Sequence, residues 1–186
     1  MQRTVFWRRL DLEGLEHLQV SASASSVQVQ GNLLCLEADG IRVEHFWHLS
    51  PDWRTLRLAI RRWMQGRQDA LILERTGTTW RVNGAHRADL DGLEEPDLSL
   101  TPFCNTLPIR RTGVKPGDTL ELDVAYVDGA TLEVSRSRQK YIRLDRNRVR
   151  YIDLGLLAGF EADLTIDREG LVVTYDGLFE RLFPGG

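Results

Sequence analysis

Residues 70–84 read ALILERTGTTWRVNG and residues 163–177 read DLTIDREGLVVTYDG, and the two stretches align without a gap when the chain is displaced by 93 residues, from 70 to 163. Leu71, Arg75, Gly77 and Gly84 fall on the identical Leu164, Arg168, Gly170 and Gly177, and Leu73, Glu74 and Asn83 meet the similar Ile166, Asp167 and Asp176. Each stretch reads as strand, tight turn, strand and second turn, because apolar residues alternate with polar ones and Gly or Asn stands where the chain must reverse. A duplication produces such a match, and so does convergence on hairpin chemistry. Duplication predicts one domain, residues 1–186, made of two β-meanders (residues 1–90 and 115–186) around a crossing segment, residues 89–117.

The same alternation recurs outward from the echo. Val27 and Val29, then Leu56, Leu58 and Ile60, then Leu120, Leu122 and Val124 each leave one face apolar. Gln30-Gly31-Asn32, Asp39-Gly40, Asp128-Gly129 and Asp145-Arg146-Asn147 read as turns between such runs. Many short strands with little helix predict a mainly β fold, a strongly curved antiparallel sheet or half-barrel. Only residues 176–183, DGLFERLF, carry a helical spacing, in Leu178, Phe179, Leu182 and Phe183, and a helix packed on the sheet is expected there. The crossing segment holds four of the six prolines (Pro96, Pro102, Pro108 and Pro116) and little alternation. Long irregular connections inside compact domains often carry function.

The composition narrows the function. The 186 residues carry 27 acidic and 24 basic side chains, a formal charge of −3, which argues against a protein that coats nucleic acid or an anionic membrane. All basic residues but Lys115 and Lys140 are Arg, which fits fixed ion pairs or anion recognition, and equally a GC-rich genome. The first ten residues, MQRTVFWRRL, do not open an export signal, and the longest apolar run, residues 154–160, is far short of the roughly 20 residues of a membrane span. Cys35 and Cys104 are distant in sequence and have no partner at metal-ligand spacing, so neither a zinc site nor a disulfide framework is supported and a reducing cytoplasm fits; no metal or other cofactor is expected.

Within the crossing segment, residues 100–111 read LTPFCNTLPIRR. Asn105 and Thr106 beside Arg110 and Arg111 suit a ligand with hydroxyls and a phosphate or carboxylate. Pairing of the arginines with Asp89, Asp91, Glu94, Glu95 and Asp97 explains them as well. Residues 89–92, DLDG, lack the further oxygen ligands of a calcium loop. Residues 136–150 hold seven basic side chains against Asp145 alone, interleaved with Tyr141, but one such hairpin in a net-acidic chain is explained more simply by solvated strands than by nucleic acid. Gln139 and Tyr141, two apart, share a strand face. The tryptophans, Trp7, Trp47, Trp53, Trp63 and Trp80, serve either a core or a cavity. No nucleophile elbow or phosphate loop is present, and a hydrolase would need two carboxyls to converge in a cleft.

The run Trp80-Arg81-Val82-Asn83-Gly84, the DLDG at 89–92, Thr101-Pro102, the block NTLPIRR at 105–111, Gln139-Lys140-Tyr141 and Gly170-Leu171-Val172 occur in that order. Together they resemble the bacterial "putative glycolipid-binding" family, first recorded as a domain of unknown function. The resemblance implies a duplicated, strongly curved half-barrel like that of periplasmic lipoprotein carriers, and a glycolipid or similar amphipathic ligand held in its hollow. It places the candidate binding residues at Trp80, Asp91, Asn105, Thr106, Arg110, Arg111, Gln139 and Tyr141. Cys104, where the family more often has threonine, and Glu95-Pro96-Asp97 depart from the pattern. An enzyme acting on a sugar- or phosphate-bearing small molecule and a protein-interaction module are the alternatives.

Overall fold

The computed structural model describes residues 1–182. The first meander comprises β1 (Gln2–Arg9), β2 (Gly14–Ala22), β3 (Val27–Cys35), β4 (Ile41–Leu49), β5 (Thr55–Met64), β6 (Arg67–Thr76), β7 (Thr79–Val82) and β8 (Ala85–His86). The crossing segment carries β9 (Glu95–Leu98) and a short helix, α1 (Phe103–Ile109). The second meander runs through β10 (Thr119–Val127), β11 (Val134–Arg143), β12 (Arg148–Asp153), β13 (Glu161–Ile166), β14 (Val172–Tyr175) and β15 (Phe179–Arg181). All fifteen strands belong to one sheet, ordered from β8 back to β1 and then from β15 back to β9.

The two meanders are seamed where β1 pairs antiparallel with β15, Trp7 opposite Arg181 and Arg9 opposite Phe179. The sheet curls until its far edges approach one another. Gly92 N donates to Thr78 O at 2.8 Å, Arg75 to Glu94 O at 2.8 Å and Thr55 N to the Glu95 carboxylate at 3.0 Å, tying the segment ahead of β9 to the edge of the first meander. Every pairing is antiparallel except β9 with β10.

Two local expectations are corrected. Residues 176–182 form a turn and then β15, not a helix: eight residues make only a marginal helix, whereas as a strand their backbone groups complete the ladders of β1 and β14. Phe183 lies outside the described residues. Gly31 is not in a turn but in the middle of β3, opposite Leu18 and His45. A Cβ there would lie 2.0 Å from His45 Nε2, so glycine is required by close approach within a strand rather than by a reversal.

The concave side is filled. All seven residues of α1 are buried, and Phe103 sets its ring edge-on to Trp47 at 5.5 Å between centroids. Trp7, Trp47 and Trp80 are fully buried, Trp53 nearly so, and Trp63 lies outside beneath the Arg42 guanidinium at 4.4 Å. Under α1 a polar row is also buried: Trp47 Nε1 donates to His45 Nδ1 at 2.9 Å, and Glu16 Oε1 meets His45 Nε2 at 2.8 Å and Thr101 Oγ1 at 2.9 Å. The hollow expected to take acyl chains is therefore occupied by the chain's own helix.

Candidate functional site

The strands β1, β3 and β12 all run toward the same end of the sheet, as does β9. At that end, between α1, β9, the end of β12 and the turn ahead of β15, a pocket of about 180 Å³ remains. Asp97, Asn105 and Asp153 supply its polar lining, and Tyr126, Tyr151, Tyr175, Phe160 and Phe179 its aromatic walls.

Its polar groups form a continuous chain of hydrogen bonds. Asn105 Nδ2 donates to the Tyr141 hydroxyl at 2.9 Å, Tyr141 donates to Gln139 Oε1 at 3.2 Å, Gln139 Nε2 donates to Asp97 Oδ2, and the Cys104 thiol donates to Asp97 Oδ1 at 2.8 Å. Gln139 and Tyr141 share the inward face of β11, as their spacing requires, and stand behind Asp97 and Asn105. Asp153 lies opposite Gln139 in the ladder. Its Oδ1 accepts Gly155 N at 2.7 Å and Leu157 N at 3.2 Å, and its Oδ2 accepts the Tyr151 hydroxyl at 3.2 Å, so it staples the loop at the pocket's mouth.

Burial dominates the electrostatics. It lifts the Asp97 carboxyl above its ordinary value, against the hydrogen bonds of Cys104 and Gln139 and with the nearby charge of Asp153 adding to the lift. Burial likewise pushes the Cys104 thiol and the Tyr141, Tyr151 and Tyr175 hydroxyls up, so all stay protonated and able to donate at neutral pH. Among the described residues no group of three or more His, Cys, Asp or Glu side chains is placed to hold a metal.

Three of the eight residues expected at the site, Asn105, Gln139 and Tyr141, are brought together here. Thr106 is buried beside them on α1, its hydroxyl without a partner among the described residues. The other four sit elsewhere. Trp80 is core, its Nε1 donating to Leu93 O at 3.0 Å, and Asp91 accepts Trp80 N at 2.9 Å and meets His86 at 2.7 Å, which shapes the loop before β9. Arg111 faces the acidic loop, 3.0 Å from Glu94 and 3.5 Å from Glu95. Arg110 stacks on Trp53 at 3.9 Å and donates to Glu169 O. The basic hairpin is paired too, Arg136 with Asp123, Arg138 and Lys140 with Glu121, and Arg148 and Arg150 with Asp163.

Asp153, Tyr151 and Tyr175 were not singled out by sequence. The available signal was positional: Tyr151 and Asp153 share the inward face of β12, directly across from Tyr141 and Gln139. The rim also holds a feature that single residues do not reveal. Of the twelve exposed large apolar side chains among the described residues, eight are leucines at this end: Leu10, Leu12, Leu15, Leu34, Leu36, Leu154, Leu156 and Leu157. Scattered exposed leucines are ordinary, but clustering at one end of a sheet marks a contact surface. Leu157 lines the pocket, whereas Leu15, Leu34 and Leu36 border a wider, open groove of about 730 Å³ on the outer face, beside Arg42 and Trp63.

A sequence model of the family described as "Putative glycolipid-binding" matches residues 4–181. A crystal structure of a DUF1089 family protein from Pseudomonas aeruginosa is similar, with a TM-score of 0.80 and 28% identity, over 90% of this chain and 92% of that one. No curated protein matches in sequence. Among the described residues no helix is long and apolar enough to cross a membrane.

Proposed function

The chain belongs to the family described as "Putative glycolipid-binding", and from that premise we propose that it binds a glycosylated amphipath by the head group, in the pocket at the leucine-rimmed end, with the alkyl chains outside on the rim. The observation that carries this reading is a pocket with Asp97 and Asn105 in its floor and aromatic rings in its walls, opening among exposed leucines. Carboxylate and amide groups match the paired donors and acceptors of vicinal hydroxyls, and aromatic faces accept the apolar faces of a sugar ring. The volume, about 180 Å³, lies below the roughly 300–1,000 Å³ typical of sites that enclose a whole drug-sized ligand, which suits one ring and excludes acyl chains. The chains would instead cover Leu154, Leu156 and Leu157, and burying half of three leucine side chains contributes about 2–4 kcal/mol.

The test is a titration with an alkyl glycoside, the free sugar and the matching alkanol, followed by amide shifts. The glycoside should bind more tightly than either fragment, with the shifts centred on Asp97, Asn105 and Tyr151. Binding of the alkanol alone, or shifts confined to Leu34 and Trp63 on the outer groove, would overturn the head-group reading. Hydrolysis of the same glycoside is less well supported, because Asp97 and Asp153 each engage both carboxylate oxygens within the protein, leaving neither placed as a nucleophile beside a free acid.

A further inference from the structure

We infer that the head group this pocket is built to receive carries a protonated amine. The inference rests on the reading that this pocket is the head-group site, and adds the ligand's charge.

The first observation is a contrast. Several half-buried acids are met by arginine, Arg9 with Glu37 at 2.7 Å, Arg62 with Asp69 at 2.6 Å and Arg181 with Asp167 at 2.8 Å; of the buried ones, Glu95 lies 3.5 Å from Arg111 and Glu16 meets His45 at 2.8 Å. Asp97 and Asp153 line one pocket, and among the described residues neither forms an ion pair. Their own hydrogen-bond donors are the neutral groups of Cys104, Gln139, Tyr151 and two backbone amides. Two carboxyls that share a site with no cation disfavour each other's charge, and a cation entering between them removes that cost.

The second observation is independent of the acids. Tyr175 is 6% exposed and lines the pocket, and its hydroxyl has no hydrogen-bond partner among the described residues. A hydroxyl that faces a cavity without a protein partner is free to accept a hydrogen bond from what enters it. The walls add a third feature, because the faces of rings that surround a small cavity attract a cation and repel an anion. A metal ion is a poor candidate because among the described residues no three His, Cys, Asp or Glu side chains are placed to hold one, whereas an ammonium group offers three donors to two carboxylates and a hydroxyl.

The experiment compares four ligands of equal alkyl chain length on the wild-type protein by calorimetry: a glucoside, the corresponding 2-amino-2-deoxyglucoside, its N-acetylated form and a plain alkylamine. The amino sugar should bind at least about tenfold more tightly than the two uncharged sugars, which is about 1.4 kcal/mol, and the gap should narrow as salt is raised. Asp97→Asn should narrow the gap to about twofold or less. Equal binding of all three sugars overturns the charge assignment and leaves the head-group reading standing. Equal binding of the alkylamine and the amino sugar, both above the uncharged sugars, upholds the cation site and overturns the sugar reading. Absence of binding by all four overturns both. The wild-type comparison decides the question even if Asp97→Asn fails to fold.

Discussion

Replacing Phe103 by alanine asks whether helix α1 is core or a displaceable plug. The ring is fully buried, packs edge-on to Trp47 at 5.5 Å and sits in a helix with no exposed residue between Phe103 and Ile109. An aromatic side chain buries about 150–250 Å², and at about 25 cal/mol per Å² that is worth about 4–6 kcal/mol. The methyl that alanine retains reduces this, and partial collapse of the surroundings reduces it further, to about 3–5 kcal/mol for Phe→Ala in a core. For a chain of this size a loss of 4 kcal/mol lowers Tm by about 8–16 °C. Urea denaturation at neutral pH, with the slope m compared between wild type and variant, measures the loss directly. A loss below about 1 kcal/mol with unchanged m would refute the reasoning: α1 would then contribute little to the core, its departure would cost little, and the sheet's hollow would again be open to acyl chains.

Three further outcomes follow from the same geometry. Gly31→Ala should destabilise by at least about 1–3 kcal/mol, the cost of overpacking, because its Cβ would lie 2.0 Å from His45 Nε2 and 2.9 Å from Glu16 Oε1; thermal unfolding within a degree of wild type would contradict that packing. Asp153→Ala removes the acceptor for Gly155 N and Leu157 N, so hydrogen exchange at residues 155–159 should accelerate while β3 and β4 keep their protection; unchanged exchange would show that the loop is held by other contacts. The last concerns pH. Burial raises the Asp97 carboxyl in the folded state, so its contribution is fully present below the ordinary carboxylate value and is lost as pH rises through the folded-state value. Wild type should therefore lose stability relative to Asp97→Asn as pH is raised from acid to neutral, and a difference that is constant or of opposite sign across that range would refute the assignment.

The strands were legible because each exposes one face to the core and the other to water or to the neighbouring charges, so alternation survives in the sequence: Leu58 and Ile60 are buried, Arg57 and Arg61 exposed. Helix α1 was not legible for the opposite reason. With Phe103 through Ile109 all buried there is no polar face, hence no 3.6-residue period, and Pro108 in its last turn reads as a break. The apparent helix at the C-terminal end arose because a turn followed by a short strand places Leu178, Phe179 and Leu182 at spacings that a helix shares. Part of the site was visible as residue types, in Asn105, Gln139 and Tyr141. Asp97 was visible among the acids of the crossing segment, but its meeting with Asp153 was not, because the two are separated by 56 positions (153 − 97) and come together only through the pairing of β9, β10, β11 and β12.

The displacement of 93 residues that aligns the two echoing stretches also organises the rest of the sheet. It carries β3 from 27–35 to 120–128, β4 from 41–49 to 134–142 and β7 from 79–82 to 172–175, onto β10, β11 and β14 within a residue at each end. It carries β1 from 2–9 to 95–102, which begins with β9, but β2 from 14–22 to 107–115, where there is no strand but the end of α1 and the loop after it. We read the halves as copies of one meander in which the second copy has withdrawn its second strand from the sheet. In an antiparallel meander the first and third strands point the same way, so removing the second brings them together as a parallel pair. That accounts for the one parallel pairing in the sheet, β9 with β10. In the place of the second strand stand the end of α1 and the loop after it, and Asp97 lies with Asn105 in one pocket at that edge. Displaced back by 93, Asp97 and Asp153 become Thr4 and Ile60, neither of them charged. The two acids of the pocket therefore have no charged counterpart at the corresponding positions of the first half.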